Sequence, residues 1–223
     1  MLTLVICGGH LPFRSIIENL EWRYACKKFD KNRKLDNGQI DVLSRAFNLT
    51  ATSFGLQPLK MLIVKNEALK EKLLPHAYFQ PQITTCSHLL IICIDTSFDE
   101  HSIDAYFDLE KNIRGTSEEI VGKFRNQLKT IYKNKDREQI DASAIYQAYI
   151  SIGTLMTVCA DQHIDSCPME GFNPVKFDEV LELGKINLRS VLLLPVGYRA
   201  EDDIMSSMKK VRKPLDQVII ELD

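Results

Sequence analysis

The sequence predicts an α+β layered domain, and three observations carry that prediction. His88–Asp95 is apolar at consecutive positions from Leu89 to Ile94. A strand apolar on both faces is a central strand covered on both sides. Residues 140–162 are small or apolar nearly all round, including Ala144, Ala148, Ile152, Leu155 and Ala160, which marks a core or subunit-interface helix. The remaining helical and strand patterns follow one another without the regular alternation of βαβ units, so helices are expected to layer on a sheet. At 223 residues the chain can bury a sizeable core as one domain.

In chain order, residues 14–22 read as a short helix that delivers the cations around Arg23. Asp36 caps a second helix over 37–49, with Ile40, Leu43, Ala46 and Phe47 on one face. Residues 50–58 form a polar loop holding Gly55 and Pro58. Leu59–Val64, a short apolar run with β-branched members, reads as a buried strand. A short helix over 67–74 is stopped by Pro75. After the strand His88–Asp95, residues 99–134 are helical, polar and broken near Gly115. The apolar helix 140–162 is followed by a short helix over 174–183, a strand over 190–198 and a last strand over 215–222. Residues 1–13 are apolar without a basic leading region, and read as an N-terminal extension to a domain spanning 14–223.

The net charge of −2 gives no global attraction to nucleic acid, so any anion site must be a local cluster. Six cysteines, at 7, 26, 86, 93, 159 and 167, include no C-x-x-C pair. That spacing argues against a zinc site or redox dithiol and for reduced, mostly buried cytosolic thiols. No metal site is expected. His88, at the head of a buried strand, reads as packed rather than catalytic. No Rossmann fingerprint, P-loop, G-x-S-x-G or H-E-x-x-H motif is present.

Chemistry is concentrated in four segments. Trp22-Arg23-Tyr24-Ala25-Cys26-Lys27-Lys28-Phe29-Asp30 gathers three cations at a helix end. Alone it is either a solvated charge run or an anion contact, because a guanidinium grips phosphate with a planar fork and a lysine supplies a point charge. Thr52-Ser53-Phe54-Gly55 offers two hydroxyls ahead of Gln57-Pro58. Pro168-Met169-Glu170-Gly171-Phe172 reads as a turn. Residues 209–213 place four cations in five positions before Pro214. On their own they read as a solvated loop, a weak nucleic-acid patch or an anion site. A further stretch, Tyr78-Phe79-Gln80-Pro81-Gln82, supplies amides that can both donate and accept.

In this order and at these separations, the four segments resemble the FMN-dependent nitroreductase family. The resemblance runs over 14–223 and is loosest across 96–140. It implies a nitroreductase-like α+β fold with a mixed central sheet flanked by helices. It also implies an intertwined homodimer with FMN at the interface and the C-terminal strand exchanged between subunits. Arg23, Lys210 and Arg212 would bind the FMN phosphate, with Lys27 beside the flavin pyrimidine edge and the backbone of Tyr24 and Ala25 nearby. Ala25 stands where the family usually has a small hydroxyl residue. Thr52, Ser53 and Gly55 would reach the flavin from the other subunit. Gln80 and Gln82 would face the pyrimidine, where some members carry Asn and a second Lys. Pro168, Met169, Glu170 and Gly171 would cover one ring face, with N–H groups of Glu170 and Gly171 toward N5 and O4.

The activity so implied is ping-pong. Tightly bound FMN takes a hydride at N5 from NADH or NADPH and passes electrons to a nitroaromatic, quinone or similar small acceptor. Lys27 and Glu170 tune the flavin, and no obligatory acid or base is required. Dihydropteridine or enone reduction, or reductive dehalogenation, on the same fold is the alternative. Flavin binding without turnover, and nucleic-acid binding through 209–213, are further readings. Neither a nucleic-acid nor a membrane partner is expected, and the location expected is cytoplasmic.

Overall fold

The computed structural model describes residues 16–222; the expected extension over 1–13 lies outside them. The sheet has four strands in the order β1-β2-β4-β3: β1 (Leu59–Val64), β2 (His88–Asp95), β3 (Asp165–Ser166) and β4 (Leu188–Gly197). Every pairing between these strands is antiparallel. That corrects the expected mixed sheet: the parallel pairing found among the described residues is a single bridge, Ala25 to Ser166.

The strand period of two explains why β2 is apolar throughout. Leu89, Ile91 and Cys93 enter one core with Leu193, Phe177 and Leu183. Leu90, Ile92 and Ile94 enter a second core on the opposite face. Each of these six side chains is fully buried. The aliphatic ones contribute roughly 1.5–3 kcal/mol apiece relative to exposure. β1 is an edge strand with Lys60 and Ile63 exposed, not the buried strand expected, because β2 covers only one of its two sides.

α1 (Ile16–Trp22) and α2 (Asn37–Asn48) precede the sheet. Asp36 caps α2 in a full capping box with Gln39. α3 (Glu67–Leu73) passes into a 3-10 turn, Leu74–Ala77, that accommodates Pro75 near its start. The one-turn α4 (Gln82–Thr85) and the two-residue β3 are too short to leave a periodic signal, and neither was expected. α5 (Glu100–Arg114) and α6 (Glu118–Lys133) form a hairpin with its own small core of Ile103, Phe107, Val121 and Leu128. Gly115 closes α5 at φ +68°, a left-handed conformation that glycine adopts without strain.

α7 (Arg137–Asp161) is the long apolar helix, started by a capping box from Asp136 to Gln139. Its Ala144, Ala148, Ile152, Leu155 and Cys159 pack on the second face of the sheet. Tyr146, Tyr149 and Ile150 are exposed on its other side. Among the described residues it is the one helix long and apolar enough to cross a membrane by length and composition. α8 (Pro174–Val180) covers the first face through Phe177. The strand expected over 215–222 is not formed within the chain. A 3-10 turn, Leu215–Gln217, leads into an exposed tail whose Val218, Ile219, Ile220 and Leu222 find no sheet neighbour.

Candidate functional site

The C-terminal end of α1 projects Arg23, whose N–H donates back to the Asn19 carbonyl at 3.1 Å. The chain then runs extended beside β3, with the Cys26 N–H on the Ser166 carbonyl at 3.2 Å. Arg199 fixes this corner. Its guanidinium pairs with buried Asp165 at 2.6 and 2.8 Å and lies over the rings of Trp22 and Tyr24 at 4.4 and 4.6 Å.

A cleft of about 550 Å³ opens here, lined by Arg23, Tyr24, Ala25, Pro168, Lys210 and Arg212. Six of the expected cofactor residues, from three distant segments, therefore share one concavity. Half-buried Arg23 has its guanidinium pKa lowered by burial first and then by the Arg212 charge. Lys210 is lowered by burial, then by Arg23 and Arg212. The Arg23 Nε is buried without a hydrogen-bond partner, and Lys210 Nζ donates to the Arg23 carbonyl. Glu21 also lines the cleft and partly offsets the cations. An excess of mutually repelling cations around an orphaned donor suits a multiply charged anion.

Beyond Pro168 lies a second group of expected residues. Lys27 Nζ is 3.7 Å from Cys167 Sγ, and Gln82 Nε2 is 3.9 Å from the same sulfur. Gln82 also donates to Gln80 Oε1 at 3.3 Å, and Gln80 Nε2 donates to the Gly171 carbonyl at 2.7 Å. A Cβ on Gly171 would sit 3.2 Å from that amide, so glycine permits the close approach. Burial pushes the Cys167 thiol pKa up, with Lys27 opposing. Met169 exchanges both backbone hydrogen bonds with Leu193, at 2.9 and 3.0 Å, which lays the segment along β4. Glu170 and Gly171 are left exposed at its end. Burial first, and then the Glu170 carboxylate, raise the pKa of the Tyr149 hydroxyl on α7.

Thr52, Ser53 and Gly55 do not join either group within the chain. They form a loop tied to α7 by a Ser53 N–H to Gln147 Oε1 bond of 2.9 Å. Thr52 lines a separate groove of about 400 Å³ along β1. Gly55 has φ +73° and lies against the Tyr106 hydroxyl.

Sequence reasoning missed Arg199, Asp165, Cys167 and above all Asp203. The buried Asp203 carboxylate accepts from the N–H groups of Lys27 at 2.9 Å and Lys28 at 3.3 Å, and from the Tyr24 hydroxyl at 3.0 Å. It also takes the Cys26 thiol at 3.3 Å and the Met205 N–H at 3.1 Å. In sequence, Glu201-Asp202-Asp203 looks like any acidic turn; only the fold distinguishes its third member. Among the described residues no group of three His, Cys, Asp or Glu side chains is placed to hold a metal ion.

Comparison with known proteins gives the family and the fold. A "Putative NAD(P)H nitroreductase" of Staphylococcus haemolyticus is 30% identical over 216 residues, covering 92% of this chain and 96% of that protein. The "Major NAD(P)H-flavin oxidoreductase" of Aliivibrio fischeri is 28% identical over 211 residues, covering 92% and 97%. A solved "putative nitroreductase in complex with FMN" from Exiguobacterium sibiricum shares the fold at a TM-score of 0.82 and 20% identity, covering 94% and 98%. The model of the nitroreductase family matches residues 20–198, through the Arg23 segment, the sheet and the Pro168–Phe172 turn, and the chain belongs to that family.

Proposed function

We propose that this nitroreductase-family oxidoreductase binds FMN and passes electrons from NADH or NADPH to a small acceptor such as a nitroaromatic or quinone. The observation that carries the reading is the cationic cleft, in which Arg23, Lys210 and Arg212 converge beside Pro168. The residues present fit the cofactor, since a phosphate dianion would relieve the repulsion among the cations and offer an acceptor to the orphaned Arg23 Nε. When bound, FMN supplies the hydride chemistry.

The chain's own residues bind, orient and tune. Arg23, Lys210 and Arg212 hold the phosphate by charge-assisted hydrogen bonds. Lys27 sets a positive charge by the pyrimidine edge, and Gln80 and Gln82 present amides there. The backbone at Glu170 and Gly171 faces the ring, so Glu170 acts through position rather than as an acid or base. No protein nucleophile takes part.

A second copy of the chain would bring Thr52, Ser53 and Gly55 to the site. The exposed Tyr146, Tyr149 and Ile150 of α7 and the apolar tail at 218–222 support such a homodimer. Residues 14–223 would act as one FMN-binding domain. A cytoplasmic location accords with the free, buried cysteines at 26, 86, 93, 159 and 167.

Arg212→Ala tests the site. Loss of one charge-assisted phosphate contact is expected to weaken FMN binding by roughly 1.5–3 kcal/mol in a flavin-fluorescence titration. Unchanged affinity would remove the cleft from the reading.

A further inference from the structure

Three cations in one cleft repel each other, so their spacing must be imposed by the framework that carries them. Arg23 comes from the end of α1, whereas Lys210 and Arg212 leave a 3-10 turn, Ile204–Ser207, near the C-terminus. Asp203 stands where these two routes meet. It caps the turn through the Met205 N–H at 3.1 Å. Its other oxygen gathers donors from Tyr24, Cys26, Lys27 and Lys28 at 2.9–3.3 Å. It is 3% exposed and does not line the cleft.

The neighbouring Lys28–Asp202 pair joins the same two segments, but both side chains are at least half exposed. Such a pair contributes little to holding a geometry. The Ala200 N–H also reaches the Lys28 carbonyl at 3.0 Å, ahead of the turn, so the buried side-chain link into the turn itself is the Asp203 carboxylate. All five of its contacts are donors, which suits an ionised carboxylate and not an amide, whose NH2 would face N–H and O–H groups. Its pKa is lowered: burial works against ionisation, and the hydrogen bonds from Lys27, Met205, Cys26 and Tyr24 together outweigh it.

We propose that Asp203 is a positioning residue for phosphate recognition. By tying residues 24–28 to the turn at 204–207, it sets Lys210 and Arg212 at the distance from Arg23 that a phosphate dianion requires. It acts through the cations and touches no part of the cofactor. The inference rests on the FMN reading above.

Riboflavin, which lacks the phosphate, supplies the test. The full-length chain is titrated with FMN and with riboflavin by fluorescence quenching, as wild type and as Asp203→Asn. The wild type should prefer FMN, and Asp203→Asn should lower the FMN-to-riboflavin affinity ratio roughly tenfold or more, the size of one lost charge-assisted contact. A wild type that does not distinguish the two ligands would overturn the FMN reading and this inference with it. A wild type that prefers FMN, with an unchanged ratio in folded Asp203→Asn, would overturn the inference alone. Should Asp203→Asn not fold, Cys26→Ala carries the test, since buried Cys26 donates to Asp203, carries no charge and does not line the cleft. A reduced ratio supports the positioning role, and an unchanged ratio contradicts it.

Discussion

Lys27 and Arg23 are four residues apart yet sit in different surroundings. Arg23 is half-buried among cations, while Lys27 is exposed and reaches the sulfur of Cys167 at 3.7 Å. A cation at the flavin edge stabilises the charge gained on reduction. Lys27→Ala is therefore expected to make the FMN midpoint potential more negative, by on the order of 30 mV, a tenfold change in a two-electron equilibrium. Spectroelectrochemistry measures this directly, and an unshifted potential would take Lys27 away from the ring. His88 makes a separate prediction. Burial first, then Lys70, Lys65 and Lys34, lower its imidazole below the ordinary 6.5. The unfolded chain then binds the proton more readily than the folded one, so this contribution is whole above about pH 6.5 and is lost as pH falls toward the folded value. Melting temperature should drop on acidification through this range, and His88→Gln should flatten the slope; parallel curves for the two proteins would refute the linkage. The site residues legible in sequence were those whose side-chain chemistry announces itself: clustered cations, paired amides, a Pro–Gly turn. Asp203 and Arg199 were not, because their importance lies in buried partners that only the fold supplies.

At the scale of elements, legibility followed length and capping. β2 matches its expected bounds because an unbroken apolar run of that length admits few other readings. α2 holds because Asp36 and Gln39 define its start. α7 begins three residues before the expected 140, since the Asp136 cap adds a polar first turn that apolar periodicity cannot register. β1 lies where the sequence places it but is not buried, because its apolar run resembles that of a central strand while its outer edge has no strand neighbour among the described residues. The weight of the fold rests on α7 against the sheet. Leu155 is fully buried there, and Leu155→Ala is expected to cost about 2–5 kcal/mol by lost burial and cavity formation. Urea denaturation gives the value, and a loss below about 1 kcal/mol would mean that this face is not the packed core described.

The whole molecule places two clusters of candidate residues side by side and leaves two surfaces without cover. Pro168 lines the cationic cleft, and Lys27 and Gln82 approach the sulfur of its neighbour Cys167, so on the proposed reading phosphate and ring of one FMN would extend across this segment. The loop holding Thr52, Ser53 and Gly55 is elsewhere in the chain, and the apolar tail at 218–222 is exposed. On the proposed homodimer these parts would form a site only with a second copy, so they were legible as motifs and not as geometry. On the proposed function, this arrangement holds a flavin that nicotinamide nucleotides reduce. The most direct test is the absorbance spectrum of the purified protein under nitrogen, before and after NADH or NADPH. Flavin bands near about 370 and 450 nm are expected to bleach with nucleotide and return on adding a quinone or nitroaromatic. A protein that stays colourless after incubation with FMN, or a yellow one that neither nucleotide bleaches, would contradict the proposed function.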